Sequence, residues 1–193
     1  MKQQLALRCR CGAAGGKLAF DSGAALHLAC YCDDCRAFAH AIERADILDA
    51  DGGTEVVIVP FAGFALEAGT EHIHCLRLSE KGMFRWYWGC CNTPIANTQP
   101  SPMAPAVSVH AACIVNGNAA ALGPITRVMA RHATGNPPPE AEQGIAFPTL
   151  LKILWFMLRN LVRGAGKPNV LHPHGQPLAV PRVLTPAERG VLG

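Results

Sequence analysis

Apolar and polar positions change places in short runs over most of the chain. Residues 17–20, 26–31, 55–59, 72–78 and 83–88 each read as a strand, bounded by Gly, Asp, Asn or Pro, and 107–115 makes a sixth candidate. Only 35–45 shows helical spacing in this part, with Phe38, Ile42 and Ala45 on one side. Residues 46–54 form a polar loop ending in Gly52-Gly53. The pattern predicts a mostly β fold.

Two breaks interrupt it, Gln99-Pro100-Ser101-Pro102 and Gly135-Asn136-Pro137-Pro138-Pro139. Three consecutive prolines favour an extended spacer, so the second is taken as the boundary. The expected organisation is a cysteine-rich β domain over 1–135, then a proline-rich linker and C-terminal helical extension over 136–193. In that extension, 147–163 reads as a helix. Lys152, Arg159, Asn160 and Arg163 lie on one stripe, and apolar side chains cover the rest. It is too short and too charged to span a membrane. A surface so apolar needs cover: its own β domain or a second subunit (a homodimer through helix 147–163) first, a membrane surface second. Thr185-Pro186-Ala187-Glu188 carries a capping box with proline at the first helical position.

Composition narrows the class. Half the residues are apolar, 16% are charged, and the formal charge is +3 with no Lys/Arg run, which argues against nucleic acid as a partner. Met1 to Arg8 has no long apolar stretch behind its charge, and glycines follow, so no secretory signal is expected. A cytoplasmic, reducing location makes the nine cysteines metal ligands or reactive thiols before disulfides.

Their spacing is specific. Four thiolates ~2.3 Å from zinc lie a little under ~4 Å from one another. Alternate residues of a strand share a face at ~6.5 Å, so Cys9-Arg10-Cys11 can converge on one ion, with Gly12 turning the chain away. That pair needs two more sulfurs, and Cys90-Cys91, before Asn92-Thr93-Pro94, is the natural source. Cys30-Tyr31-Cys32-Asp33-Asp34-Cys35 supplies three ligands from one segment and leaves a fourth position open, the mark of a working zinc. A thiol redox switch is the alternative for the triplet. Cys75 and Cys113 read as packed apolar residues.

The order CRCG, then CxCxxC, then a cysteine turn with Thr-Pro after an aromatic strand resembles the glutathione-dependent formaldehyde-activating enzymes, whose layout centromere protein V shares. The resemblance covers roughly Cys9 to Ile95. It implies a zinc-bearing β-tent fold of short antiparallel strands, a structural zinc on Cys9, Cys11 and the later turn, and a catalytic zinc on Cys30, Cys32 and Cys35. It also implies a carbon–sulfur lyase of the S-hydroxymethylglutathione synthase kind, acting on a small thiol adduct. One departure stands out. The family's later turn carries CxxC, whose second cysteine maps to Cys91 and whose first maps to Trp88, which cannot bind zinc. Cys90 is expected to replace it, with a bend at Gly89; Cys75 is a second candidate, and loss of the structural site, leaving its thiols paired or free, is the third outcome.

Asp33, Asp34 and His40 are the nearest proton carriers in sequence, and Arg36 the nearest cation for a substrate carboxylate. His72 and His74 alternate along a strand, a spacing that suits metal binding, though an exposed strand face is the first reading. His110, His172 and His174 have no partner at a telling spacing. The rival reading is a binding module in which zinc is purely structural and helix 147–163 meets a partner.

Overall fold

Strand β1 (Lys2–Arg8) and strand β2 (Gly15–Asp21) pair because each carries its apolar residues on alternate positions. Leu5 and Leu7 on the first, and Leu18 and Phe20 on the second, are buried on one face while Gln4, Lys17 and Ala19 face outward. β5 (Phe64–Ala68) and β10 (Ile114–Val115) flank them in a four-stranded antiparallel sheet ordered β10-β1-β2-β5. The β2–β5 register slips beside Gly16, where a Cβ would lie 2.1 Å from the Ala65 carbonyl oxygen, so only glycine fits. The computed structural model describes residues 2–21, 25–101, 103–115 and 122–192.

A second sheet contains β3 (Leu26–Cys30), β4 (Thr54–Pro60), β6 (Ile73–Arg77), β7 (Phe84–Trp88), β8 (Thr93–Thr98) and β9 (Ala106–His110). Two further strands, β11 (Thr126–Val128) and β12 (Pro181–Val183), lie parallel at its edges, giving the order β11-β3-β4-β9-β8-β7-β6-β12. The sheets face each other across one core. Val57, Val59, Trp86, Trp88, Ile95 and Val107 of the larger sheet meet Leu18 and Phe64 of the smaller. Truncating a side chain as buried as Trp86 would cost about 3–5 kcal/mol.

Helix α1 (Asp33–Ala41) covers the opposite face of the larger sheet, packing Phe38 and Ile42 on Leu76, Leu78 and Leu184. Asp33 and Asp34 in its first turn suit the positive end of the helix. It stops short of the expected residue 45 because Glu43 takes a left-handed φ of +56°. The 107–115 stretch is likewise broken, by a single turn at Ala111–Cys113. β8 escaped the sequence reading because it does not alternate: all six residues are buried. In β1 only two apolar positions carry the pattern.

The fold is thus mostly β with a C-terminal helix, as the hydrophobic pattern predicts. That helix, α2 (Phe147–Val162), lies where expected but is turned the other way. Its buried residues are Thr149, Phe156 and Asn160, two of them polar, while its leucines face outward. Polar bonds hold its ends. The Glu142 carboxylate accepts from the Ala146 N–H at 2.7 Å and the Thr149 hydroxyl at 2.5 Å, and Asn160 O accepts from the Ala165 N–H. Among the described residues no helix is long and apolar enough to cross a membrane. Helix α3 (Pro186–Gly190) carries the expected capping box, with Thr185 Oγ1 accepting from the Glu188 N–H.

Candidate metal centres

β1 ends at Arg8, and the chain then folds back at once: Gly12 N–H donates to Cys9 O at 3.0 Å and Cys9 N–H to Ala14 O at 2.9 Å. Gly12 takes φ +83°, the conformation glycine allows. Cys9 and Cys11 therefore meet, 3.4 Å apart, across a tight turn and not on the strand the spacing suggested. The other half comes from the turn between β7 and β8. There the Cys91 N–H donates to Trp88 O, and Asn92 adopts φ +55°. This turn frees the two adjacent cysteines from the opposite directions an extended chain would give them.

Cys90 Sγ lies 3.5 Å from Cys11 Sγ, 3.8 Å from Cys9 Sγ and 3.9 Å from Cys91 Sγ. All four sulfurs fall within 4.8 Å of one another. Such spacing fits a tetrahedron of thiolates around one ion, whose edges are a little under ~4 Å. Trp88 is fully buried in the core, and Cys90 stands in the cluster in its stead. Cys75 does not join the cluster; it lies buried in the core.

A second layer holds these sulfurs. The Ala14 N–H points at Cys9 Sγ at 3.2 Å. Thr93 Oγ1 accepts from the Arg10 N–H at 3.0 Å and from Arg44 Nη1 at 3.3 Å, which leaves its own proton for Cys91 Sγ at 3.1 Å. Burial pushes the Cys91 thiol up, but the bonds from Thr93 and Cys11 outweigh it and hold it at about 6. Cys90 moves the other way, raised by burial and by hydrogen bonds to Cys11 and Cys9.

The second centre is built at a strand-to-helix junction. Cys30 ends β3, Cys32 caps the N-terminus of α1, and Cys35 sits in its first turn with its N–H on Cys32 O at 3.0 Å. Between them Tyr31 is fully buried, its hydroxyl on Asp49 at 3.1 Å, which fixes the bend. The three sulfurs lie within 4.8 Å of one another, and no fourth Cys, His, Asp or Glu completes the group among the described residues. The positive end of a helix favours thiolate over thiol. Hydrogen bonds from Cys30 and Cys32, the Arg85 charge and the Thr54 hydroxyl hold Cys35 well below the usual thiol range, against its burial. Cys30 is raised by its bonds to Cys32 and Cys35 and by burial.

Under this junction the larger sheet presents polar residues. Arg85 is buried with its Nη1 unpartnered, its guanidinium 5.5 Å from the Phe38 ring centre and 3.9 Å from Asp34. His110 is buried with Nε2 facing Asn97 Nδ2 at 3.2 Å, and burial lowers it to about 4 despite the pull of Cys35. It is therefore neutral near pH 7. Sequence reasoning missed Arg85 and His110, which lie far along the chain from the cysteines. The signal for Arg85 was a charge alternating with Phe84, Trp86 and Trp88 in an otherwise aromatic strand.

The sequence-near candidates sit at the rim. Asp33 pairs with Arg36 at 2.6 Å and His132 at 3.0 Å, and Asp34 pairs with Arg189. His40 is exposed on α1. His74 is exposed on β6 against the Tyr87 ring, whereas His72 is half-buried in the turn that precedes the strand. His172 is buried between Phe84 and Trp86, and His174 is exposed. Cys75 and Cys113 are core thiols, each pushed up to about 12 by burial. A cleft of about 470 Å³ is lined by Arg44, Asp46, Glu55 and His110 among others, and by none of the clustered cysteines. Arg44 reaches toward the first cluster through Thr93, and His110 lies within electrostatic reach of Cys35.

The two groups, Cys9/Cys11/Cys90/Cys91 and Cys30/Cys32/Cys35, are thus each disposed to hold a metal ion. The model of the Family of unknown function (DUF6151) matches residues 1–181, and the chain belongs to that family. No curated protein matches it.

Proposed function

We propose that this member of a family of unknown function holds two zinc ions, one architectural and one open to a small sulfur-bearing substrate. The reaction is that of a carbon–sulfur lyase on thiol adducts of small aldehydes, the class to which the motif order is similar. The observation that carries the reading is the inequality of the clusters, four sulfurs in one and three in the other. Cys9, Cys11, Cys90 and Cys91 would close a coordination shell; Cys30, Cys32 and Cys35 would leave one corner vacant.

Zinc bound there supplies a site where a thiol loses its proton near neutral pH or an aldehyde oxygen is polarised. Three thiolates donate much charge and keep the ion soft, which suits sulfur over peptide carbonyls. Buried Arg85 offsets the net negative charge of three thiolates and a divalent cation. Asp33 and Asp34, at the rim, are placed to carry protons between the site and water. A reducing cytoplasm keeps the thiols available.

Metal analysis of purified protein, followed by cobalt substitution, tests the reading. Two ions per chain and a visible-band shift on adding glutathione support it, and turnover of formaldehyde with glutathione names the substrate. A spectrum that ignores added thiol sinks it. The second reading keeps both ions structural and makes α2 the working surface; the exposed leucines of that helix are the observation in its favour.

A further inference from the structure

Helix α2 is inside out. A surface helix ordinarily buries its apolar stripe and shows its polar one. Here Thr149, Phe156 and Asn160 face the body, while Leu154, Trp155 and Leu158 are 54%, 65% and 53% exposed. At 100° per residue the outward arc spans nearly half the circumference and holds no charged side chain. Arg159, Lys152 and Arg163 follow one after another along a single border of that arc, next to Trp155. The helix contains no acidic residue.

We propose that α2 is a membrane-surface anchor that lies flat on anionic phospholipid. Its 16 residues span ~24 Å along the bilayer plane, too short to cross it but long enough to sink an apolar face into the headgroup boundary. The leucines enter the acyl region, Trp155 sits at the interface, and the basic border meets phosphate and carboxylate headgroups. The Glu142 carboxylate, accepting from the Ala146 N–H and the Thr149 hydroxyl, tethers the first turn of the helix without consuming its apolar face.

A second copy of the chain fits less well. An antiparallel pair of α2 helices facing each other across a twofold axis brings the two basic borders to the same side. Lys152, Arg159 and Arg163 of each would then line one seam with no acidic group on the helix to answer them.

The native fluorophores make a direct test, because Trp86 and Trp88 are fully buried while Trp155 is exposed. Full-length, zinc-loaded protein is mixed with vesicles of phosphatidylcholine alone or with about one-third phosphatidylserine. The expected result is a blue shift of Trp155 emission and co-flotation, at least tenfold stronger with the anionic vesicles. Leu154→Glu with Leu158→Glu should abolish both, with near-ultraviolet circular dichroism confirming an unchanged fold. Lys152→Gln with Arg163→Gln should lose roughly thirtyfold in partition on anionic vesicles alone. No flotation with either vesicle overturns the proposal. So does a lipid-free, concentration-dependent dimer that Leu158→Glu dissolves, which assigns the face to a second copy. Neither outcome depends on the zinc centres.

Discussion

The two sulfur clusters draw on the same residue type and differ in what surrounds it. Cys9, Cys11, Cys90 and Cys91 come from two turns, each reversed by a left-handed residue, and they meet near the surface with Cys11 and Cys90 exposed. Cys30, Cys32 and Cys35 come from one junction, anchored by a buried tyrosine and a helix start, above buried Arg85 and His110. In the first, an ion would tie together pieces of chain some eighty residues apart. In the second, six consecutive residues already stand together, so an ion there has less of the fold to hold. On the proposed reading, distance along the sequence, more than ligand chemistry, would separate the structural centre from the open one.

The largest break in that contrast is Cys90→Ser set beside Cys32→Ser. Losing Cys90 should cost about 4 kcal/mol or more, lowering Tm by about 10 °C or more, because metal binding there is folding free energy. Losing Cys32 should remove one ion but shift Tm by only about a third as much, since serine is a good N-cap for α1. Calorimetry with metal analysis checks both, and equal shifts would erase the distinction.

Beyond the thiolates of both clusters, acid should act on the fold through His110, which lies under the second centre. The unfolded chain protonates this histidine near 6.5 while the folded chain resists down to about 4. The unfolded state therefore binds more protons across that window, so stability is full above pH 6.5 and falls as pH drops toward 4. The total loss is about 3 kcal/mol. Subtracting the denaturation profile of His110→Gln from that of the parent isolates it; parallel profiles would show that His110 carries none of it.

Arg85→Met should leave the four-sulfur cluster intact and weaken metal at the three-sulfur one by 10–100-fold, read by chelator competition. If both ions leave together, Arg85 serves the fold and not the site. Asp33→Asn sits at the small end. An exposed ion pair contributes about 0.5 kcal/mol or less, so Tm and metal content should hold, and only a proton-carrying role would show, as a shifted pH–rate profile.

Sequence showed the clusters more clearly than the scaffold. Both sets of sulfurs were legible because metal geometry demands close thiols, and Cys90 could be chosen as the substitute for Trp88 on count alone. How they meet was not legible: the Cys9–Cys11 turn and the left-handed Asn92 depend on contacts with Ala14 and Trp88. β8 was hidden because Thr93, Asn97 and Thr98 are polar yet buried, their bonds supplied by Arg10, His110 and Trp86. For α2 the period showed the helix and the apolar arc, but periodicity says nothing about which way an arc points. Glu142, which holds Ala146 and Thr149 from outside the helix, helps decide that.

Both rims of the eight-stranded sheet are finished by three-residue strands, β11 against β3 and β12 against β6. β12 opens with Pro181, which has no N–H to offer, and continues with Arg182. The tail therefore works as a hem. A chain cut before Pro181 would bare the N–H and C=O groups of β6, beside the aromatic β7, as a template on which further copies could stack into fibrils. Pairing with β12 thus keeps that edge of β6 occupied.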